Sequence, residues 1–423
     1  MTSLRSVPKS SKLYELAAFI ILWHFFFASS FVLRLNPQIF WPVMFGIGAV
    51  SLFWKKQPVK KTEAVLFLSL LVGLPLCFFA ADAWNSVIGA LYFFIYLGVA
   101  AMMARHVSTE RLLKFTLAFC IVHLLCIYLQ VLLPEVYKAV IMPLLPSYAH
   151  SDIILQMTYN ASYYGFTVQT SMTAMYMTIG AITAAVLARY AKQKRQRLIN
   201  IMLIALFITG VLFTTRRGSI LALFLILMVV YFDTSHSKVS RFLLLIAGIA
   251  FLLSFGIDKI PGMQGLLDKF SRLSGNLLNG RQEIWRTALD NFWKHPLVGY
   301  GVGQGIEAGG GSLVDNAYLT VLVERGVIGT VIWFAPIFWI FIRTLKKKRS
   351  GSNLALDFSF YVQLLFFIMS MMENYFGQAV SMFFYDLAVL SAVFCSDKPA
   401  TARETPCKSG EESSWHQEAQ ANN

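Results

Sequence analysis

The chain reads as an all-α, polytopic membrane protein with about twelve transmembrane helices and one large extracytoplasmic helical loop. Three observations predict this. First, 57% of the 423 residues are hydrophobic and only 14% are charged, whereas a soluble domain carries about a quarter charged residues. Second, apolar runs near the ~20 residues of a bilayer crossing recur along the whole chain. Third, basic residues collect in alternate connecting segments, as they do in cytoplasmic loops.

The expected spans are 13–33, 39–54, 64–80, 87–104, 112–133, 167–188, 198–213, 218–232, 241–256, 327–342, 357–376 and 379–395. The first follows Arg5, Lys9 and Lys12. It is too long for a signal-peptide core and has no small-residue cleavage site, so it reads as a retained helix. The pairs 198–213/218–232 and 357–376/379–395 read as tight hairpins. With both ends in the cytoplasm, 25 of the 36 lysines and arginines fall in inside segments, which fits the charge rule for a multi-pass membrane protein.

The division that follows is a transmembrane bundle at 1–256, an extracytoplasmic loop at 257–326, C-terminal spans at 327–395 and a cytoplasmic tail at 396–423. The tail is rich in Ser, Glu, Gln and Asn and is expected to be disordered. A second outside segment covers 134–165. The net charge of +14 belongs to cytoplasmic loops, so membrane lipids are expected partners and nucleic acid is not. Cys77, Cys120, Cys126, Cys395 and Cys407 form no CxxC and no Cys/His cluster, so neither a disulfide framework nor a metal site is read. No cofactor is expected.

Three segments carry candidate chemistry. Arg216 and Arg217 sit in a short turn, FTTRRGSILALF, on the side where basic residues are scarce. Arginine beside hydrocarbon is costly and persists when it pairs with something. Its planar, always-charged fork grips phosphate; the ordinary alternative is a pair snorkelling to lipid headgroups.

The second segment is GRQEIWRTALDNFWKHPLVGYGVG. Arg281 opens a helix carrying Glu283, Trp285, Arg286 and Asp290, and His295-Pro296 ends it. Arg281 and Arg286 are five apart and share a face only loosely. Glycines at 299, 301, 303 and 305 permit tight turns or close backbone approach. No βαβ context surrounds them, which rules out a dinucleotide reading. A structural amphipathic helix on the membrane surface is the plain alternative.

The third segment is SLVDNAYLTVLVERGVIGTVIWF. Asp315-Asn316 suits a helix N-cap. In the functional reading Asp315 is a carboxylate at the mouth of the site, able to take a proton or orient an acceptor hydroxyl. Tyr318 is a candidate to pack on a sugar face, and Glu324 and Arg325 a candidate pair.

Together these segments resemble the O-antigen ligase and polymerase superfamily of bacterial envelope proteins. The matching motifs are TRRGS (215–219), GRQEIW (280–285), HPLVGYG (295–301) and DNAYLTVLVERGVIG (315–329). The resemblance implies metal-independent glycosyl transfer on the outer face of the cytoplasmic membrane. The donor would be an undecaprenyl-diphosphate-linked glycan, and the acceptor a glycan or a lipid-linked molecule. It assigns Arg217 and Arg281 to the leaving diphosphate, with Arg216 and Arg286 in reserve and Asn316 and Tyr318 beside the substrate. Ligases acting on lipid A-core usually carry His before the Asn of the third motif. Asp315 stands there in this chain, which tilts the expectation toward a polysaccharide polymerase, with ligase as the alternative. A flippase or secondary transporter is the alternative of another class, resting on Asp386 and Glu373 in late apolar runs. A purely structural scaffold would leave the outer-face arginines unexplained.

Overall fold

In hydrocarbon, backbone polar groups must find partners within their own segment, so long apolar runs close into helices. The computed structural model describes residues 12–30, 59–80, 82–234, 281–311 and 314–395, with scattered positions between 32 and 46. The described residues are helical throughout their ordered elements and contain no strand.

The principal helices are α1 (Lys12–Phe26), α2 (Lys61–Gly73, continued as a 3₁₀ turn over Leu74–Phe79), α3 (Ala83–His106), α4 (Thr109–Leu132), α5 (Pro134–Val140), α6 (His150–Asn160), α7 (Thr170–Tyr190), α8 (Lys194–Phe213), α9 (Arg217–Thr234), α10 (Arg281–Phe292), α11 (Ala317–Ser350), α12 (Leu354–Met369) and α13 (Ala379–Cys395). Seven of the described helical segments are long and apolar enough to cross a membrane: α2 with its 3₁₀ continuation, α3, α4, α7, α8, α9 and α11. The apolar helices α12 and α13 are shorter. The expected spans 39–54 and 241–256 fall almost wholly or wholly outside the described residues, as do 1–11, 257–280 and the tail from 396. Every other expected span holds a helix. The expected span 357–376 stops at Met369, because 370–378 turns through MENYFGQ before α13 starts.

α7 is the most deeply buried of these long helices. Its small residues let neighbours approach closely. A Cβ added at Gly180 would lie 2.6 Å from the Phe207 ring of α8. Tyr176 donates through its hydroxyl to the Phe25 carbonyl of α1 at 3.0 Å, and Phe25 stacks on Phe383 of α13. By contrast, α8 leaves Leu198, Ile199, Ile201, Met202 and Leu206 exposed, as suits a helix whose outer face meets lipid.

The two ends of the bundle differ. At one end α7, α9, α11 and α12 meet around the buried Asp357. It accepts from Arg189 at 3.0 Å, Lys348 at 2.6 Å, Tyr190 at 2.9 Å and Ser352 at 2.7 Å. At the same end Arg105 pairs with Glu63. The other end holds the α8–α9 turn, the start of α11 and the 370–378 turn.

Helix α11 is broken at Gly326, with φ 61° and ψ −175°. The glycine-rich turn clasps this break. The Tyr300 and Gly301 N–H groups donate to the Val323 and Glu324 carbonyls at 3.0 and 2.7 Å, and Val327 N–H donates to the Pro296 carbonyl at 2.9 Å. The Glu324 carboxylate accepts from the N–H groups of Gly303 and Gly305, while Arg325 lies over the Trp333 ring at 4.1 Å. Glu324 and Arg325, expected as a pair, act on each other's charge and each has these further partners. A Cβ at Gly326 would stand 2.3 Å from the Leu297 carbonyl carbon and oxygen, and one at Gly299 would stand 2.4 Å from those of Glu324.

Gly326→Ala should therefore cost about 2 kcal/mol or more, combining a left-handed conformation with a backbone collision. Gly98→Ala, whose Cβ would meet nothing within 4 Å, should stay within about 0.5 kcal/mol of wild type. Thermal denaturation of the detergent-solubilised proteins measures both. Equal melting would mean that the clasp is not rigid.

Candidate functional site

Helix α8 ends at Phe213, and the chain reverses through Thr214 and Thr215. Thr215 sits in the left-handed region at φ 54°, a costly conformation for a β-branched residue. It is held there: Thr215 N–H donates to the Leu212 carbonyl at 3.0 Å, and the Ser162 hydroxyl donates to the Thr214 carbonyl at 2.9 Å. The turn delivers Arg216 and Arg217 to the start of α9.

Arg216 reaches across two elements. Its Nε donates to the Thr170 hydroxyl at the start of α7 at 2.5 Å, and its Nη1 lies 3.4 Å from Glu373 Oε1. Arg281, the first residue of α10, places Nη2 3.3 Å from Asp315 Oδ2, with both side chains a little over a quarter exposed. Asp315 itself does not cap α11. Asn316 does, its side chain accepting from Leu319 N–H at 3.0 Å, which leaves the Asp315 carboxylate turned to Arg281. The Ala317 N–H then donates to the Ser370 carbonyl at 2.8 Å and Asn316 Nδ2 to the Met371 carbonyl at 3.4 Å. The start of α11 is thereby fastened to the 370–378 turn.

The charges act on one another across these elements. The Arg281 guanidinium lies within Coulombic reach of Arg217 and of Glu373, and Asp315 lies within reach of Glu373. Arg216, Arg217, Arg281, Asp315 and Glu373 thus form one cluster drawn from four separated stretches of sequence. The Glu373 side chain is only 10% exposed. Burial raises its carboxyl to about 7, the Asp315 charge pushes the same way, and Arg216 and Arg281 pull against both. A carboxyl poised there exchanges its proton near neutral pH.

Two of the residues read from sequence stand apart. Arg286 is exposed, five positions along α10 from Arg281. Tyr318 stacks on Phe334 and donates to the Phe367 carbonyl at 3.0 Å, so its ring faces protein. Two residues that hold Arg216 were not picked out for the site. Thr170 carries no signal in sequence. Glu373 was visible as a charge in a late apolar run, and the polar residues of MENYFGQ around it mark a turn. A small cleft is lined by Ser69, Cys77, Gly301, Glu324, Arg325 and Trp333; it is separate from the cluster. No group of His, Cys, Asp and Glu suited to hold a metal occurs among the described residues.

Residues 202–334, which include the Arg-Arg turn, α10, the clasp and the start of α11, match the profile of the family described as O-antigen ligase. This segment is thus similar to the O-antigen ligase family. The chain is a multi-pass membrane protein that carries, over residues 202–334, a segment similar to the O-antigen ligase family. No curated protein matches the chain. Of the cluster, Arg216, Arg217, Arg281 and Asp315 fall within the matched segment and Glu373 lies beyond it.

The geometry separates Asp315 from its capping neighbour. Asn316→Ala should lower stability by about 1 kcal/mol through loss of the cap, while Asp315→Ala, which breaks only a partly exposed ion pair, should cost less than about 1 kcal/mol. Thermal unfolding in detergent ranks the two; the reverse order would return the cap to Asp315.

Proposed function

We propose that this protein transfers a glycan from a polyprenyl (undecaprenyl) diphosphate carrier to an acceptor hydroxyl on the outer face of the bacterial cytoplasmic membrane. The observation that carries this reading is the convergence of Arg216, Arg217 and Arg281 with Asp315 at one end of the bundle. When the bond between the sugar anomeric carbon and the diphosphate oxygen breaks, negative charge grows on the leaving diphosphate. Guanidinium groups held in advance at that point stabilise the transition state more than the ground state. Arg217 and Arg281 take this role, with Arg216 beside them. Asp315 accepts the proton of the acceptor hydroxyl as the new glycosidic bond forms. Asn316 and Tyr318 set the start of α11 against the 370–378 turn, and Arg286 serves as an outlying contact for the donor glycan or lipid headgroups. The arginines of the cluster suffice for this chemistry without a metal ion.

The outer-face orientation rests on charge distribution. Arg105, Arg111, Lys114, Arg189, Lys192, Lys194, Arg195 and Arg197 gather at the end opposite the cluster, as do the basic residues closing α11. That bias is the mark of the cytoplasmic side and supports a cytoplasmic location for the N- and C-termini. The carboxylate at 315, where ligases for lipid A-core usually carry histidine, favours polymerisation of lipid-linked repeat units over ligation to lipid A-core. Ligation is the second reading, favoured by the family description itself.

Arg217→Ala and Arg281→Ala should each lower glycan transfer about 10²–10³-fold while the protein stays in the membrane at normal level. The readout is surface glycan in a complemented deletion strain, and normal glycan with both variants would refute the assignment. The deletion strain separates the readings: accumulated single lipid-linked repeats mean polymerase, and long unattached chains mean ligase. Movement of lipid-linked glycan across liposomes without a new glycosidic bond would mean transport instead. Asp315→Asn, which leaves the Asn316 cap intact, should slow transfer about 10²-fold with unchanged melting. An unaltered rate would remove Asp315 from proton transfer.

A further inference from the structure

Glu373 lies outside the segment that matches the family, yet it faces the arginines directly. The groups facing it are Arg216 from the α8–α9 turn, Arg281 from α10, Asp315 from the stretch before α11, and Tyr375 from its own turn. Tyr375 is buried and donates to the Ser171 carbonyl at 3.2 Å, which anchors the turn against α7. Of the two carboxylates, Asp315 keeps more than a quarter of its side chain in solvent and Glu373 only a tenth.

That difference has a consequence when an anion enters. A diphosphate bonded to Arg216 competes with Glu373 for the same guanidinium and sets a second negative charge beside it. Two buried like charges cannot both remain ionised at low cost. Asp315 can turn to water. Glu373 has little water to turn to, so its cheapest course is to become neutral.

We propose that Glu373 is the internal counter-ion of the arginine cluster: it positions Arg216 while the site is empty, and yields Arg216 to the donor diphosphate by taking up a proton. The proton comes from solvent and forms an O–H bond on the Glu373 carboxyl. No other covalent bond changes, and the Arg216–Glu373 ion pair is exchanged for an Arg216–diphosphate pair. Glu373 is thus a positioning residue acting through Arg216. The role rests on the diphosphate-donor reading given above.

The sign follows from the linkage. In the empty site the carboxyl titrates near 7, and a bound anion raises it further. Below that range Glu373 is neutral in both states and binding is at full strength. As pH climbs from the empty-site value to the bound value, binding weakens tenfold for each unit of difference.

The test uses the full-length protein in nanodiscs, with farnesyl diphosphate as probe, at pH 6.5 and 8.5. Wild type and Glu373→Gln should bind alike at pH 6.5. At pH 8.5 Glu373→Gln should bind about tenfold tighter than wild type, taking a shift of one unit. Glu373→Asp should keep the wild-type fall. A residue with only a packing role would weaken binding at both pH values. That result, or a Glu373→Gln profile parallel to wild type, overturns the proposal. A second measurement is calorimetry at pH 8 in buffers of different ionisation enthalpy, which counts the protons exchanged on binding. Arginines favour the deprotonated diphosphate, so the ligand itself releases protons in both proteins; wild type should therefore take up more protons on binding than Glu373→Gln does, and equal proton counts for the two also overturn the proposal. Arg217→Ala separates the two levels. If it binds farnesyl diphosphate as well as wild type does, or wild type does not bind it, the donor reading falls. If Arg217→Ala is impaired while Glu373→Gln tracks wild type, only the role of Glu373 falls.

Discussion

Charge balance at the end of an apolar bundle is the constraint on which the rest of this structure depends. Arg216, Arg217 and Arg281 gather where helices run out of hydrocarbon, and guanidinium groups there are costly without answering charge. The fold supplies two carboxylates, Asp315 and Glu373, and nearly every local feature serves to hold these five side chains in range. The left-handed Thr215 aims the Arg-Arg pair. The Asn316 cap frees Asp315 for Arg281. The Ser370 carbonyl fastens the start of α11 to the turn that carries Glu373.

Much of this was legible in sequence because charges stand out against apolar text. The arginine turn, Arg281 and Asp315 were marked by the cost of putting such residues beside lipid, and the family motifs tied them together. The helices were legible for the same reason, since hydrocarbon leaves a long apolar run almost no other backbone solution. What did not read out was partnership. Thr170 is one hydroxyl among several on α7, and nothing local says that it receives Arg216. Glu373 sits among Met371, Met372, Tyr375 and Phe376, so it read as a charge inside a span. The assignment of the cap to Asn316 rather than Asp315 depends on the exact register at which α11 begins.

The glycine-rich turn shows how a motif can be legible while its role is not. Its glycines suggested close approach to a ligand, and close approach is what they provide. The partner is the chain's own broken helix. Gly299 and Gly326 pass so near each other's strands of backbone that neither tolerates a Cβ. The break redirects α11, so that the stretch before Gly326 can pack on α10 while the stretch after it continues through the bundle. In this way the clasp sets where Asp315 meets Arg281 without touching either.

Two of the buried carboxylates, Asp357 and Glu373, lie at opposite ends of the molecule and clarify what distinguishes a staple from a working group. Asp357 accepts from Arg189, Lys348, Tyr190 and Ser352, which between them occupy its oxygens. An anion so fully bonded resists exchange, and removing it would strand two cations. Glu373 is buried nearly as well, but its ion pair is a single contact at 3.4 Å to an arginine that also has Thr170. A carboxylate held so loosely in so little water can surrender its partner. At the end of the bundle where an anionic substrate would arrive, that looseness is what allows the arginines to be stable in the empty site and available in the filled one.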